Sequence, residues 1–289
     1  MFEMPALSDH SSNVTTKMLL LGDSGVGKSG ALASLVEAGY NLRILDFDNG
    51  LDILANVLKA KNKPELLEKV NFQTCTDGSR ISGINIVPTA TAWTRAIKIL
   101  GDWPDGIGKI ETWTTQDILV IDSLTFAGKA ALRFILNLNG RVGDIPGWSD
   151  YFAAQQLLEK LCASLYSDMV KANVICISHV REVAKTHQEV DSKGRPITVE
   201  EEGSRKGYAE TGAGKALSPV IGRYFNSVLL VDIEGTGAGT RRIIRTVPHE
   251  NVGLKNSSPA VVKPKYGIET GLAEYFVAVR GAPSNGNPT

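Results

Sequence analysis

The sequence predicts an α/β fold: a mainly parallel twisted sheet flanked by helices, with a C-terminal antiparallel hairpin. Three observations lead there. Short apolar runs alternate with helical patterns along the chain, as they do where parallel strands are covered by helices on both faces. The first four runs each end in a small or polar residue, and ligands of such folds gather at those carboxyl ends. The first run also opens directly onto the glycine-rich stretch GDSGVGKS, residues 22–29.

Taken in order, the strand runs are KMLLLG (17–22), NLRILD (41–46), DILVID (117–122) and NVICIS (173–178). SGALASLVEAG, which follows the glycine-rich stretch, reads as a helix. Residues 60–116 interrupt the alternation as a variable or inserted segment: TATAWTRAIKIL predicts a helix, whereas GDWPDGIGKIETWTT fits no period. SDYFAAQQLLEKLCASLYSDMVKA starts at an N-cap candidate, Ser149, and carries Phe152, Leu157, Leu161, Leu165 and Met169 as a core-facing stripe. Residues 181–213 are polar and read as a long loop or a protruding hairpin. NSVLLVDI and RRIIRTV, joined by EGTGAGT, make a hairpin, and Phe225 reads as a core residue that begins a strand. One domain over 17–280 is expected, between a flexible N-terminus (1–16) and a disordered tail (281–289).

Composition narrows the partners. The 289 residues are 43% hydrophobic, enough for a large core of an ordinary globular protein. Lys plus Arg (31) equals Asp plus Glu (31), so no global field draws the chain to nucleic acid or an anionic membrane; such a partner must be met by a local patch. Three cysteines without CxxC spacing read as buried reduced thiols. The opening has no basic and apolar leader pattern, and no run approaches the roughly 18 apolar residues of a membrane span, so a cytoplasmic protein is expected.

Gly22 to Ser29 matches G-x-x-x-x-G-K-[ST] between a strand and a helix, the context its mechanism requires. The loop Gly22, Asp23, Ser24, Gly25, Val26, Gly27, Lys28, Ser29 and Gly30 would turn backbone N–H groups toward the phosphates of a nucleoside triphosphate, ATP. Lys28 would reach the β- and γ-phosphates and Ser29 would ligate Mg²⁺. Asp122, at the end of DILVID and followed by Ser123, is the Walker B candidate for the magnesium shell. Asp48, just past the second strand in ILDFDNGLD, could orient or deprotonate the attacking water. Asp46 and Asp52 compete for that role, and Asp48 could instead cap the next helix. Ser178 and His179, ending NVICIS, stand where a polar side chain can feel the γ-phosphate and relay its presence to the following loop.

Single-strand binding needs a cationic groove with aromatic faces or mobile loops. Lys185, Lys193, Arg195, Arg205, Lys206 and Lys215 are the candidates, with Tyr208 for stacking; Glu200, Glu201 and Glu202 oppose them in the same segment, which reads equally as a solvated mixed-charge loop. Arg241, Arg242 and Arg245 make the later hairpin basic, but alternation sends them to different faces.

In their order, GDSGVGKS, ILDFDNGLD, ILVIDS, VICISHVRE, GKALSPVIGRYFNSVLLVDI and RRIIRTVPHENVGLKNSSP resemble the RecA-like recombinase core, above all the phage-type AAA/RecA-like ATPases proposed as single-strand annealing proteins. The resemblance spans residues 17–262. It implies a RecA-like P-loop NTPase fold, ATP hydrolysis with Mg²⁺, and action on single-stranded DNA in recombination. It also implies a homo-oligomer, ring or filament, with nucleotide at the subunit boundary, a single-strand binding protein as a further partner, and the host cytoplasm if phage-encoded. Asp46-Phe47-Asp48 is similar to the family's Asp-x-Glu pair, with Asp in place of Glu at the water-activating position. His179 looks like the polar switch residue, and 182–212 like the mobile DNA-binding loop. Lys255 in GLKNSSP resembles a boundary lysine acting on the neighbouring subunit's nucleotide; Ser257 replaces a second lysine. Two other functions compete: a small-molecule kinase, in which Asp48 would act on an acceptor hydroxyl, and an ATP-dependent regulatory switch. The near match NKPE (62–65) to a guanine motif ends in Glu and precedes the Walker B strand, so guanine selectivity has no support.

Overall fold

The computed structural model describes residues 13–82, 84–190, 195–201 and 203–281. Strand β1 (Lys17–Leu21) leads through the glycine-rich loop into two short helices, α1 (Lys28–Ala31) and α2 (Ala33–Glu37), where the sequence reads as one. Then come β2 (Asn41–Asp46), α3 (Asp52–Ala60), α4 (Glu65–Glu68), β3 (Val70–Thr74) and a hairpin of β4 (Ser79–Ser82) and β5 (Asn85–Pro88). Next are α5 (Ala92–Gly101), β6 (Asp117–Asp122), α6 (Leu124–Leu138), α7 (Trp148–Tyr166) and β7 (Asn173–Ser178). Strands β8 (Val180–Val183), β9 (Thr186–Val190), β10 (Pro196–Glu200) and β11 (Lys206–Ala209) follow, then β12 (Ser227–Glu234), β13 (Arg241–Arg245), β14 (Lys265–Gly267) and α8 (Gly271–Arg280).

The main sheet has the order β14-β13-β12-β1-β7-β6-β2-β3. From β3 to β12 all neighbours are parallel; β13 and β14 are added antiparallel. This is the RecA-like P-loop NTPase arrangement, with one strand, β7, between the P-loop strand and the Walker B strand. Alternation along β1 explains the two cores. Leu19 and Leu21 face a layer built by α5, α6 and α7, while Met18 and Leu20 face α1, α2, α3 and α8.

Side-chain amides tie the N-terminal strand ends together. Asn173 accepts from the Thr16 N–H (2.7 Å) and donates to the Thr115 carbonyl (2.6 Å). Asn226 accepts from the Lys17 N–H (3.0 Å) and donates to the Thr15 carbonyl (3.0 Å). The Lys17 ammonium is buried there and donates to the carbonyls of Val170 (2.9 Å) and Ala172 (2.7 Å). Burial lowers its pKa to about 7.

The stretch 60–116 contributes to the same body. β3 is the edge strand of the sheet and α5 packs into one core. Trp103 and Trp113, in the portion that fits no period, bury against each other edge-to-face with centroids 5.3 Å apart. Arg43 lies 5.0 Å over Trp113 and bridges Asp105 (2.8 Å) and Asp117 (2.7 Å).

Two expectations for α7 are corrected. Its N-cap is Gly147, whose N–H donates to Asp150 (2.8 Å), itself held by Arg141 (2.9 Å); Ser149 lies inside the first turn. The core face is Ala154, Leu158, Leu161, Cys162 and Leu165, whereas Phe152 is 66% and Met169 70% exposed. Five residues separate Phe152 from Leu157, a rotation about 140° out of line with the helical repeat, and Met169 lies beyond the helix end.

The polar stretch after β7 is a two-stage antiparallel arm, β8 with β11 and then β9 with β10. Its exit is clamped on α6. A Cβ on Gly128 would lie 1.7 Å from the Thr211 carbonyl oxygen, and one on Gly212 (φ 65°) would lie 1.9 Å from that of Thr125. The three cysteines are buried free thiols. Among the described residues no helix is long and apolar enough to cross a membrane.

Gly128→Ala should destabilise the protein by more than the roughly 1–3 kcal/mol usual for overpacking, because the obstacle is backbone, and should lower the melting temperature accordingly; an unchanged melt would refute the clamp. Lys17 supplies a pH signature. From about pH 7 up to the ordinary lysine value of about 10.4, the unfolded chain keeps a proton that the native chain releases, so this residue makes stability rise with pH. Between pH 7 and 9 wild type should gain on the order of 2 kcal/mol relative to Lys17→Met in parallel denaturant melts; curves of equal slope would contradict it.

Candidate active site

The parallel register brings the critical strand ends into one row. Leu21 of β1 pairs with Ser178 of β7, Ile177 with Asp122 of β6, and Asp122 with Asp46 of β2. The loop after β1 crosses the end of this row and forms a cleft with it. Ser24, Gly25, Gly27, Lys28, Ser29 and Gly30 line one side, and Asp48, Asp122, Ser123 and His179 the other, with Ile53 and Ile177 as apolar walls.

Gly25 (φ 79°) and Gly27 (φ 103°) take left-handed conformations that let the chain double back. Their amides make no hydrogen bond among the described residues. Lys28 folds over the loop and donates to the carbonyls of Gly22 (2.9 Å) and Asp23 (2.6 Å), so these two residues serve the lysine and not the cleft wall. Val26 anchors the loop in the core. The Ser29 hydroxyl donates to Asp122 (2.7 Å), and the Asp122–Ser123 peptide is cis.

The three candidate carboxylates are told apart by their surroundings. Asp46 accepts from the Asn49 N–H (2.8 Å) and is committed to the turn. Asp52 is exposed in the first turn of α3 and does not line the cleft. Asp48 lines it, and its Oδ1 is buried without a hydrogen-bond partner, as is the Ser123 hydroxyl. The N-cap of α3 is Leu51, with no side-chain cap, so Asp48 is not spent on capping.

Charge in the cleft is crowded. Burial, with the Asp48 charge second, pushes the Asp122 carboxyl up to about 7. Burial also raises Asp46 and Asp48 and lowers Lys28. Acidic groups that resist ionisation beside a lone ammonium call for a cation. The residues therefore fit Mg²⁺ and a triphosphate: Ser29 and Asp122 would hold the ion, the free loop amides and Lys28 the phosphates. Among the described residues no cluster of three or more His, Cys, Asp or Glu could hold a metal ion.

His179 is half-buried edge-on to Phe126 (6.3 Å), and burial, followed by the charges of Lys28 and Lys129, lowers its pKa, so the imidazole is neutral near pH 7. It adjoins a junction that the motifs do not disclose. Thr125, three residues past Asp122, accepts from the His179 N–H (3.3 Å) and donates to the Glu210 carbonyl (2.7 Å). Ser178 donates to the same carbonyl (2.9 Å), and the Glu210 N–H donates to the His179 carbonyl (2.8 Å). Only proximity in space, absent from any sequence spacing, marks Thr125 and Glu210.

Other expected residues lie elsewhere. Lys255 pairs by its backbone with Val228 (2.8 and 3.1 Å) and lines a separate cavity with Tyr208, Ser218 and Arg223. On the arm, Arg205 is paired with Glu200 (2.7 Å) and Glu182 (3.6 Å), and Arg181 with Glu210 (3.0 Å). Lys185, Arg195, Lys206 and Lys215 are exposed, and Tyr208 is half-buried opposite Arg181. Lys193 lies outside the described residues.

No curated protein matches the chain. Similar solved structures include a KaiC-like protein from the hyperthermophilic archaeon Pyrococcus horikoshii OT3, 12% identical with TM-score 0.37 over 80% of this chain and 77% of that one. They also include the flagellar accessory protein FlaH from Methanocaldococcus jannaschii, 10% identical with TM-score 0.39 over 86% and 83%. An ATPase from the type III secretion system of pathogenic bacteria is 15% identical, with TM-score 0.40 over 76% and 52%. The AAA domain family matches residues 15–258, from the start of β1 through the whole row of strand ends. On that match the chain belongs to the AAA domain family, as a P-loop ATPase of RecA-like fold.

Proposed function

We propose that this ATPase binds Mg-ATP in the cleft, hydrolyses it, and uses the state of the terminal phosphate to set the arm β8–β11, which meets single-stranded DNA in recombination or strand annealing. One observation carries the reading: Thr125, Ser178, His179 and Glu210 share hydrogen bonds where the cleft ends and the arm begins.

Lys28 would exchange the carbonyls of Gly22 and Asp23 for β- and γ-phosphate oxygens. Bound Mg²⁺ supplies charge neutralisation at those oxygens. Asp48, whose Oδ1 has no partner among the described residues, would orient the attacking water and take its proton, burial having raised its pKa and with it its basicity. The neutral imidazole of His179 would accept or donate a hydrogen bond at the γ-phosphate. A change there reaches Thr125 through the His179 N–H, and Thr125 holds the arm's exit at Glu210.

In an oligomer, Lys255 would serve the nucleotide of the adjoining subunit, a role its distance from its own cleft permits. On the arm, Lys185, Lys206 and Arg195 would meet the DNA phosphates and Tyr208 a base, with Lys215 just past its exit; Arg205 is held by Glu200 and Glu182. A second reading, an ATP-dependent switch whose arm meets protein, draws on one fact: acidic residues outnumber basic ones seven to six between 180 and 210.

Lys28→Ala should abolish nucleotide binding in equilibrium titrations, whereas Asp48→Asn should bind normally and hydrolyse about 10²–10⁴-fold more slowly. Equal turnover in the two variants and wild type would remove both roles. Single-stranded DNA should stimulate ATP hydrolysis by wild type and not by Thr125→Val. No stimulation of wild type by any strand would favour the switch.

A further inference from the structure

We propose that Arg242 is a nucleotide-binding residue, its guanidinium holding the α-phosphate end of the triphosphate from the β13 side of the P-loop. The proposal rests on the reading of the cleft as an ATP site and deepens it.

The direction of the ligand follows from where the charged groups stand. Asp48, Asp122 and His179 come from β2, β6 and β7, all on one flank of β1. They fix the terminal phosphate on that flank, so the chain of phosphates must run toward the opposite one, where β12 and β13 stand. β12 outruns β1: Leu21, the last residue of β1, pairs with Leu230, and β12 continues to Glu234. β13 accompanies this extension, with Arg242 opposite Ile233. Arg242, still within the sheet, therefore stands at the height of the P-loop, where it lines a cavity with Glu234, Ile268 and Glu269 next to the cleft and not the cleft wall itself.

Its side chain lies on that loop. A Cβ built on Gly27 would be 3.4 Å from Arg242 Cδ and 3.8 Å from its Nε, with Ile268 Cδ1 at 2.8 Å. Ile268, whose N–H donates to the Arg242 carbonyl (3.2 Å), packs beside it and fixes the position of the stem. Three nearby cations are neutralised, Arg245 by Asp232 (2.8 Å), Lys265 by Glu234 (2.9 Å) and Lys263 by Glu274 (2.8 Å), whereas Arg241, like Arg242, is exposed and has no ion pair among the described residues; of these two only Arg242 lies against Gly27. Arg242 is exposed and makes no ion pair among the described residues. A guanidinium set against a loop of unpaired amides adds positive charge to positive charge, an arrangement that an anion relieves, and its planar fork matches two phosphate oxygens.

The test compares the affinities of ATP, ADP and inorganic tripolyphosphate for wild type, Arg242→Gln and Arg242→Lys, each variant first shown to melt like wild type. Arg242→Gln should weaken all three about 10- to 100-fold, the worth of a hydrogen bond to a charged group. Arg242→Lys, which keeps the charge and loses the fork, should recover part of it, and KM for ATP should rise by a larger factor than kcat falls. Unchanged affinities would overturn the proposal. So would a loss confined to ATP, which is the mark of a γ-phosphate contact, or one that spares tripolyphosphate, which marks a nucleoside contact. Should Arg242→Gln not fold, Arg242→Lys decides by the same three affinities. Wild type that retains none of the three ligands removes the ATP-site reading itself, a failure of a different kind.

Discussion

A single hydrogen bond, from the Ser29 hydroxyl to Asp122 at 2.7 Å, spans the gap that organises this molecule. It joins the loop after β1 to the end of β6 over the top of β7, and it is possible only because three parallel strands finish at one level. That level is set far away. Asn173 and Asn226 fix where β7 and β12 begin relative to β1, and buried alternation then carries the register to the other end without slippage. Shifting β1 by one residue would turn Leu19 and Leu21 into the wrong core and carry Ser29 away from its carboxylate.

The cleft that results is held in a state of electrical discomfort. Asp48 and Asp122 crowd around one ammonium with Asp46 behind them, burial pushes each carboxyl toward its neutral form, and two polar atoms, Asp48 Oδ1 and Ser123 Oγ, are left without partners among the described residues. An isolated domain gains no stability from such an arrangement, since buried unsatisfied groups cost about 1–3 kcal/mol each. A ligand with a divalent ion and many oxygens turns the same groups into contacts. Ile53 and Ile177 sharpen the effect by keeping part of the wall apolar, where charges interact more strongly.

Much of this was legible in the sequence. NLRILD, DILVID and NVICIS are the observed strands to the residue, because each is a buried run stopped by a polar group needed at the strand end. The loop, Asp48, Asp122 and His179 were named from the same strand ends, and the fold brings them to line one cleft. What depends on distant partners was not. The start of α7 is decided by Asp150 reaching Gly147 under the hold of Arg141, and the pattern of 101–116 by a tryptophan pair that only folding brings together. Charges on the arm could be counted but not their pairing, which removes Arg205 from the free cations. Arg242 reads as one of three hairpin arginines, and its place against Gly27 comes from the overhang of β12, a property of the sheet.

The arm enters at Val180 and leaves at Ala209, residues that face each other across one ladder, and the clamp of Gly128 and Gly212 lies just outside that pair. Strands β9 and β10 pair with each other beyond β8 and β11 and are not part of the main sheet. Such an appendage can be lengthened, shortened or exchanged at about 3.4 Å of reach per residue on each strand while the chemistry below stays as it is.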